Sequence, residues 1–167
     1  FSGICFDHRK IKKNYIFFAI KGNNLDGNNF IPSVIKKGCK IIVTEKNFDE
    51  WKSGVLFINT KNIRKLLAKI SFSIFKKKPN NLIAVTGTNG KSSVSDFYYQ
   101  ILRLSNKKVA SIGTLGVRSN NFNLNLLNTT IDPIYLGKIL NELKKRKIEN
   151  VIMEASSHGL HQNRLDG

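Results

Sequence analysis

Short apolar runs recur at positions 15–20, 40–44, 55–59, 82–86, 109–112 and 151–155. Each is four to six residues long, rich in Ile, Val and Phe, and bounded by Gly, Asn or Lys, the signature of buried β-strands. Between several of them the pattern shifts to a helical period, at 30–37, 62–75, 91–105 and 133–147. In the last of these, Ile134, Leu136, Ile139, Leu140 and Leu143 fall near one face, with Lys and Glu elsewhere. Strands alternating with helices predict α/β units built on parallel sheets. No internal repeat is visible.

The run Lys76-Lys77-Lys78-Pro79-Asn80-Asn81 separates a helical pattern from a strand. It reads as a solvated linker. It predicts a small α/β domain over residues 1–78 and a second α/β domain beginning at 79 and continuing to 167.

Composition changes this picture little. The chain is 41% hydrophobic, enough to form a core and to exclude wholesale disorder. Its 28 Lys and Arg against 11 Asp and Glu give a net charge of +17, which raises nucleic acid or an anionic membrane as partners. The excess accompanies many Asn and Ile, the residues of A/T-rich codons, and the lysines are spread along both halves. A nucleic-acid module would instead gather them on one face with stacking aromatics. Cys5 and Cys39 lack any paired spacing and sit among apolar residues, as buried thiols of a reducing compartment do. No apolar run is long enough to span a membrane, and no signal peptide opens the chain. Cytoplasmic localisation follows as the expectation, with neither nucleic acid nor membrane insertion; oligomeric state is not legible.

The chemistry concentrates after residue 80. Ile83-Ala84-Val85-Thr86 reads as a short buried strand, followed by Gly87-Thr88-Asn89-Gly90-Lys91-Ser92-Ser93 and a helix. Glycines allow successive N–H groups to turn toward an anion at a helix N-terminus. Lys91 supplies a point charge for β- and γ-phosphates, and the Ser92 hydroxyl suits Mg²⁺. Val85 stands where the longer GxxxxGK[ST] pattern requires Gly, so an ordinary Gly-rich strand-to-helix turn is the rival reading. Glu154 closes the strand at 151–155, on the side where α/β sheets bind ligands. A carboxylate there can hold Mg²⁺ directly or through water; a salt-bridged or capping glutamate is the alternative.

The loop TGTNGKSS resembles that of the Mur ligase family and of the related folylpolyglutamate synthases. Three further segments are similar to one branch of that family. They are Asn128-Thr129-Thr130-Ile131-Asp132-Pro133, Met153-Glu154-Ala155-Ser156-Ser157-His158-Gly159-Leu160, and Gln162-Asn163-Arg164. Toward the N-terminus, Phe6-Asp7-His8-Arg9 resembles a DSR segment and Gly22-Asn23-Asn24-Leu25-Asp26-Gly27 a G-x-x-x-D-G loop. The branch adds the third residue of the peptidoglycan stem peptide. The resemblance implies an α/β fold with a small N-terminal UDP-binding domain and a P-loop-type, parallel-sheet ATPase domain. It also implies an ATP- and Mg²⁺-dependent ligase whose acceptor is UDP-MurNAc-L-Ala-D-Glu. The amine would come from a diamino acid, meso-diaminopimelate or L-lysine. Folylpolyglutamate synthases lack such a first domain, and the D-alanyl-D-alanine-adding ligases lack SSHGL.

Carried over residue by residue, the resemblance gives Gly87, Thr88, Asn89, Gly90, Lys91, Ser92 and Ser93 to ATP. Ser92 and Glu154 would serve Mg²⁺, with Lys91 and Glu154 as catalytic groups. Phe6, His8, Asn23, Asn24 and Leu25 fall where the family holds the UDP-sugar end. Asn128, Thr129, Thr130, Ser156, Gln162 and Arg164 fall on the muramoyl-peptide contacts. Amides, hydroxyls and one guanidinium suit diphosphate, sugar and carboxylate groups. His8 departs from the serine usual in the family.

A Ser–His hydrolase using Ser156 or Ser157 with His158 is disfavoured, because no G-x-S-x-G elbow surrounds the serines. The chain opens on Phe1 and closes at Leu165-Asp166-Gly167, the expected look of a piece of a longer polypeptide. The resemblance places a carbamylated lysine, a Mg²⁺-binding histidine and an amino-acid-binding domain downstream. The expected consequences are an incomplete central sheet with an unpaired edge, and no ligation by this stretch alone. A nucleotide-binding remnant is the non-catalytic alternative.

Overall fold

The structure, a computed structural model, describes residues 1–52, 54–126 and 129–167. The described chain forms two compact units, Phe1–Leu67 and Ala68–Gly167.

In the first unit the strands are β1 (Gly3–Cys5), β2 (Tyr15–Phe18), β3 (Ile41–Thr44), β4 (Trp51–Lys52) and β5 (Val55–Asn59). They lie in the order β1-β2-β3-β5-β4, parallel except for β4, which runs antiparallel to β5. Helix α1 (Ile31–Lys36) follows a 3-10 turn at Gly27–Phe30, and α2 (Ile63–Ile74) leaves the unit. The alternation in the sequence anticipated β2, β3 and β5. It missed β1, which is three residues long, and β4, a pair of exposed residues with no apolar pattern. The core gathers Phe17, Val34, Ile42, Phe57 and both cysteines. Each large apolar side chain fully buried here contributes ~1.5–3 kcal/mol before entropy. Cys39 is buried against the carbonyls of Tyr15 and Ile41, and burial pushes its thiol pKa up.

The second unit holds β6 (Asn81–Val85), α3 (Lys91–Leu104), β7 (Val109–Gly113), β8 (Gly116–Ser119), α4 (Pro133–Lys145), β9 (Asn150–Glu154) and α5 (Ser157–His161). The sheet order is β6-β9-β7-β8. Strands β6, β9 and β7 are parallel, whereas β8 forms a hairpin with β7. Leu136, Ile139, Leu140 and Leu143 of α4 pack with Ala110, Ile112, Val151 and Met153 of the sheet. Ala68 and Phe72 of α2 join this second core, so the compact units divide within that helix.

Three sequence expectations change here. The helices expected to reach 105 and 147 end at Leu104 and Lys145. Asn106 (φ 57°) and Lys147 (φ 60°) turn left-handed, and the next N–H bonds back to Leu102 and Leu143, the closing pattern of a Schellman cap. Strand β6, expected to be buried, is exposed: Leu82 and Ile83 are 38% and 39% accessible, because among the described residues only β9 pairs with it. The adjoining face of α3 (Val94, Phe97, Ile101, Leu104) is likewise exposed, in line with the expected open edge. Finally, the lysine run is not wholly solvated. Lys78 lies 5.5 Å from the Phe72 ring centroid, and Pro79 is buried, while Lys76 and Lys77 are exposed.

Candidate active site

The parallel order β6-β9-β7 carries the C-terminal ends of three strands to one edge. Val85 is level with Glu154, and Met153 with Ile112. Ligands of α/β sheets bind at such an edge. From β6 the chain passes through Thr86–Gly90 directly into α3, and Gly90 at the helix N-cap adopts φ 80°, open to glycine at no steric cost. No acidic residue occupies the first turn of α3, so its N–H groups are left to an anion. Lys91 is folded against its own loop, with Nζ donating to the carbonyls of Gly87 (2.6 Å) and Thr88 (3.3 Å).

Glu154 ends β9 at 4% exposure. Its Oε2 accepts from the hydroxyls of Ser92 (3.0 Å) and Thr114 (3.0 Å), and its Oε1 accepts from the Thr114 N–H (3.1 Å). Gly113 makes this possible, since a Cβ there would collide with the carboxylate. Ser92 and Glu154, far apart in sequence, thus meet at the mouth of the glycine loop.

A cavity of about 10 Å³ lies beside them, lined by Ser92, Ser95, Ser111 and Glu154 among others, with room for one water. Ser95 Oγ is buried with no partner among the described residues. Arg118 also lines this cavity, but its guanidinium is paired with Asp96 at 2.6 Å and lies over the Tyr99 ring.

These residues fit a nucleotide with Mg²⁺. The donor set is hard oxygen, one carboxylate and one hydroxyl, the ligand chemistry that Mg²⁺ takes. Among the described residues no group of three or more His, Cys, Asp or Glu gathers to hold a metal ion, at this edge or elsewhere.

The acceptor-side candidates cluster around the same glutamate. Thr114 and Thr129 hydroxyls are 3.0 Å apart. Thr130 Oγ1 lies within hydrogen-bond distance of the Glu154 carbonyl (3.2 Å) and Ser156 Oγ (3.1 Å), and accepts from the Ser156 N–H (2.9 Å). Ser156 caps α5 by accepting from the Gly159 N–H. Arg164 donates to the Thr130 carbonyl and to Gln162 Oε1. His158 meets Gln162 at 2.8 Å rather than a serine, which removes the Ser–His arrangement. His161 is exposed. Asn128 lies outside the described residues.

Within the first unit, Phe6 and His8 follow the C-terminal end of β1, while Asn23, Asn24 and Leu25 lie beyond that of the neighbouring parallel strand β2. Asn23 and Asn24 occupy a tight turn closed by the Gly22 N–H on the Leu25 carbonyl (2.8 Å). The His8 ring stacks on Phe30, centroids 3.7 Å apart and planes 4° from parallel. Phe6 and Leu25 are exposed apolar side chains. Asp7 is held by Arg9, whose side-chain hydrogen bonds bring the carboxyl pKa down to about 2.

Gly113, Thr114 and Phe30 were not anticipated from the sequence. The available signal for the first two was their position directly after an apolar strand, at the same edge as Glu154.

Comparison with known proteins agrees with this arrangement. Residues 1–73 match the family model described as Mur ligase family, catalytic domain, and residues 85–167 match Mur ligase middle domain. The chain is 41% identical over 168 residues to the UDP-N-acetylmuramoyl-L-alanyl-D-glutamate–2,6-diaminopimelate ligase of Rickettsia conorii, covering 98% of this chain and 34% of that protein. It is 38% identical to the Brucella melitensis protein of the same name, covering 99% of this chain and 34% of that one. A solved structure of a ligase of that name superposes with TM-score 0.82 at 26% identity, covering 100% of this chain and 34% of the other. A MurF ligase from Thermotoga maritima in complex with ADP shares the fold at TM-score 0.58 and 20% identity, covering 92% of this chain and 32% of its own. The chain therefore spans about a third of the length of the curated relatives it matches. With both family models matched in succession and the loop, strand-end glutamate and acceptor cluster brought to one sheet edge, the chain belongs to the Mur ligase family.

Proposed function

We propose that these residues supply the nucleotide side and the acceptor side of an ATP-dependent acid–amino-acid ligase of peptidoglycan precursor synthesis, acting in the cytoplasm. The acceptor is UDP-MurNAc-L-Ala-D-Glu, and the names of the relatives favour 2,6-diaminopimelate over L-lysine as the amine. Residues 1–78 form the UDP-sugar-binding domain and residues 79–167 the first part of the ATP-binding domain.

In this reading the D-Glu side-chain carboxylate attacks the γ-phosphorus of ATP. ADP leaves, and an acyl phosphate forms. The amine then attacks the acyl carbon, phosphate departs, and the amine loses its proton. The work asked of these residues is positioning and charge neutralisation. Gly87, Thr88, Asn89, Gly90 and Ser93 line the phosphate loop. Lys91 exchanges its loop carbonyls for phosphate oxygens. Ser92 and Glu154 would hold Mg²⁺, whose charge would neutralise the β- and γ-phosphates. Thr129, Thr130, Ser156, Gln162 and Arg164, with Asn128, orient the muramoyl peptide; Phe6, His8, Asn23, Asn24 and Leu25 hold its uridine end.

The observation that carries the reading is the meeting of Ser92 and Glu154 at 3.0 Å beside a glycine loop and a hydroxyl-rich cluster. In a full-length enzyme, Lys91→Ala should abolish turnover and leave UDP-sugar binding within about threefold, since it removes one phosphate-directed charge. Unchanged turnover would refute the role of the loop.

A further inference from the structure

Thr114 belongs to none of the segments that carry the family resemblance, yet it provides two of the three hydrogen bonds that reach the Glu154 carboxylate among the described residues. Its backbone N–H holds Oε1 at 3.1 Å and its hydroxyl holds Oε2 at 3.0 Å. A carboxylate gripped on both oxygens has one orientation. Thr114 sits in the two-residue turn between β7 and β8, closed by the Gly113–Gly116 pair.

The proton inventory gives the contact a direction. A threonine hydroxyl has one hydrogen and two lone pairs. With its hydrogen committed to Glu154, Thr114 Oγ1 can only accept at its other contact, so the Thr129 hydroxyl 3.0 Å away is the donor. The chain therefore runs from Thr129 to Thr114 to Glu154, with Ser92 donating to the same Oε2 from the phosphate loop. Among the described residues, no acceptor-side group hydrogen-bonds the carboxylate directly; Thr130 engages the Glu154 backbone carbonyl.

We propose that Thr114 is a positioning residue for the nucleotide–metal side: it fixes both oxygens of Glu154 for the cation and ties that orientation to Thr129 on the acceptor side. This rests on the functional reading above. It adds a residue whose hydroxyl acts only through Glu154.

The test is ATP titration of the full-length enzyme by calorimetry, in Mg²⁺ and in EDTA, with far-UV circular dichroism of every variant. Thr114→Val keeps the shape and the N–H but removes the hydroxyl. It should cut the Mg²⁺-dependent gain in ATP affinity about tenfold, the scale of one hydrogen bond to a charged group, and leave affinity in EDTA unchanged. Thr114→Ser should restore the gain, and Thr129→Val should produce a smaller loss in the same direction.

A folded Thr114→Val chain with the wild-type Mg²⁺ gain overturns the inference, as does a Thr114→Ser chain that behaves like Thr114→Val. If Thr114→Val does not fold, Thr129→Val decides: a wild-type gain there breaks the proposed link. Those results leave the functional reading standing. A wild-type chain that binds no ATP, or binds it without any Mg²⁺ gain, removes the functional reading and this inference together.

Discussion

Replacing Gly113 with alanine tests the packing on which the site depends. A Cβ at this position would collide with Glu154 Oε1, Cδ and Cγ, and the backbone of Gly113 is in an ordinary strand conformation, so crowding is the whole effect. Either β7 shifts or the carboxylate swings away and loses its bonds to Ser92 and Thr114. Overpacking a tight site costs ~1–3 kcal/mol, and leaving donors to a charged group unpaired costs a similar amount, partly recovered by solvating the freed carboxylate. The expected net loss is about 2–3 kcal/mol. In a unit of about 100 residues this lowers the melting temperature by roughly 10 °C or more. The assay is urea unfolding followed by circular dichroism, run as a double-mutant cycle with Glu154→Ala. Once the carboxylate is gone the new methyl has room, so Gly113→Ala should cost less than about 0.5 kcal/mol in that background. Strict additivity of the two changes, or a Gly113→Ala chain as stable as wild type, would refute the argument.

Two further outcomes follow from packing and charge. Leu143, fully buried in α4, should cost ~2–5 kcal/mol when cut to alanine, whereas Leu104, 83% exposed on α3, should cost under about 0.5 kcal/mol; comparable losses in urea unfolding would contradict the assigned burial. Asp7 should titrate with a midpoint near 2 rather than 3.8, because Arg9 bonds favour its charged form. A depressed folded-state pKa gives stability that is complete above about 3.8 and lost as pH falls through about 2, so Asp7→Asn should blunt acid sensitivity only in that window. Carboxyl carbon NMR across pH 1.5–5 checks the midpoint on a scale set by model carboxyls, roughly 3.9 for Asp.

Legibility in the sequence followed the length scale of each signal. Local features were readable: β2, β3, β5 and the four longer helices come from the periodicity of apolar positions, and the phosphate loop from glycine and lysine spacing. Helix ends were misjudged by one or two residues, because the left-handed caps at Asn106 and Lys147 use residues with no glycine to announce them. The exposure of β6 was not legible in its apolar pattern either; an open sheet edge was expected only from the family resemblance. An Ile-Ala-Val run reads as buried whether or not a second strand lies beside it.

The sequence by itself determined which groups could carry chemistry: a glycine loop with Lys91 and Ser92, a strand-end Glu154, and a hydroxyl and amide set at 128–130 and 156–164. Tertiary structure alone decided which of them act on one another. The insertion of β9 between β6 and β7 sets Glu154 level with Val85 and beside Gly113, and so assembles Ser92 and Thr114 on one carboxylate, with Thr129 joined through Thr114, from segments 15 to 62 residues apart. Strand order is a property of packing across the sheet, where pairing energy is blind to sequence distance. A threonine in a two-residue turn looks like any other until the sheet brings a glutamate to meet it.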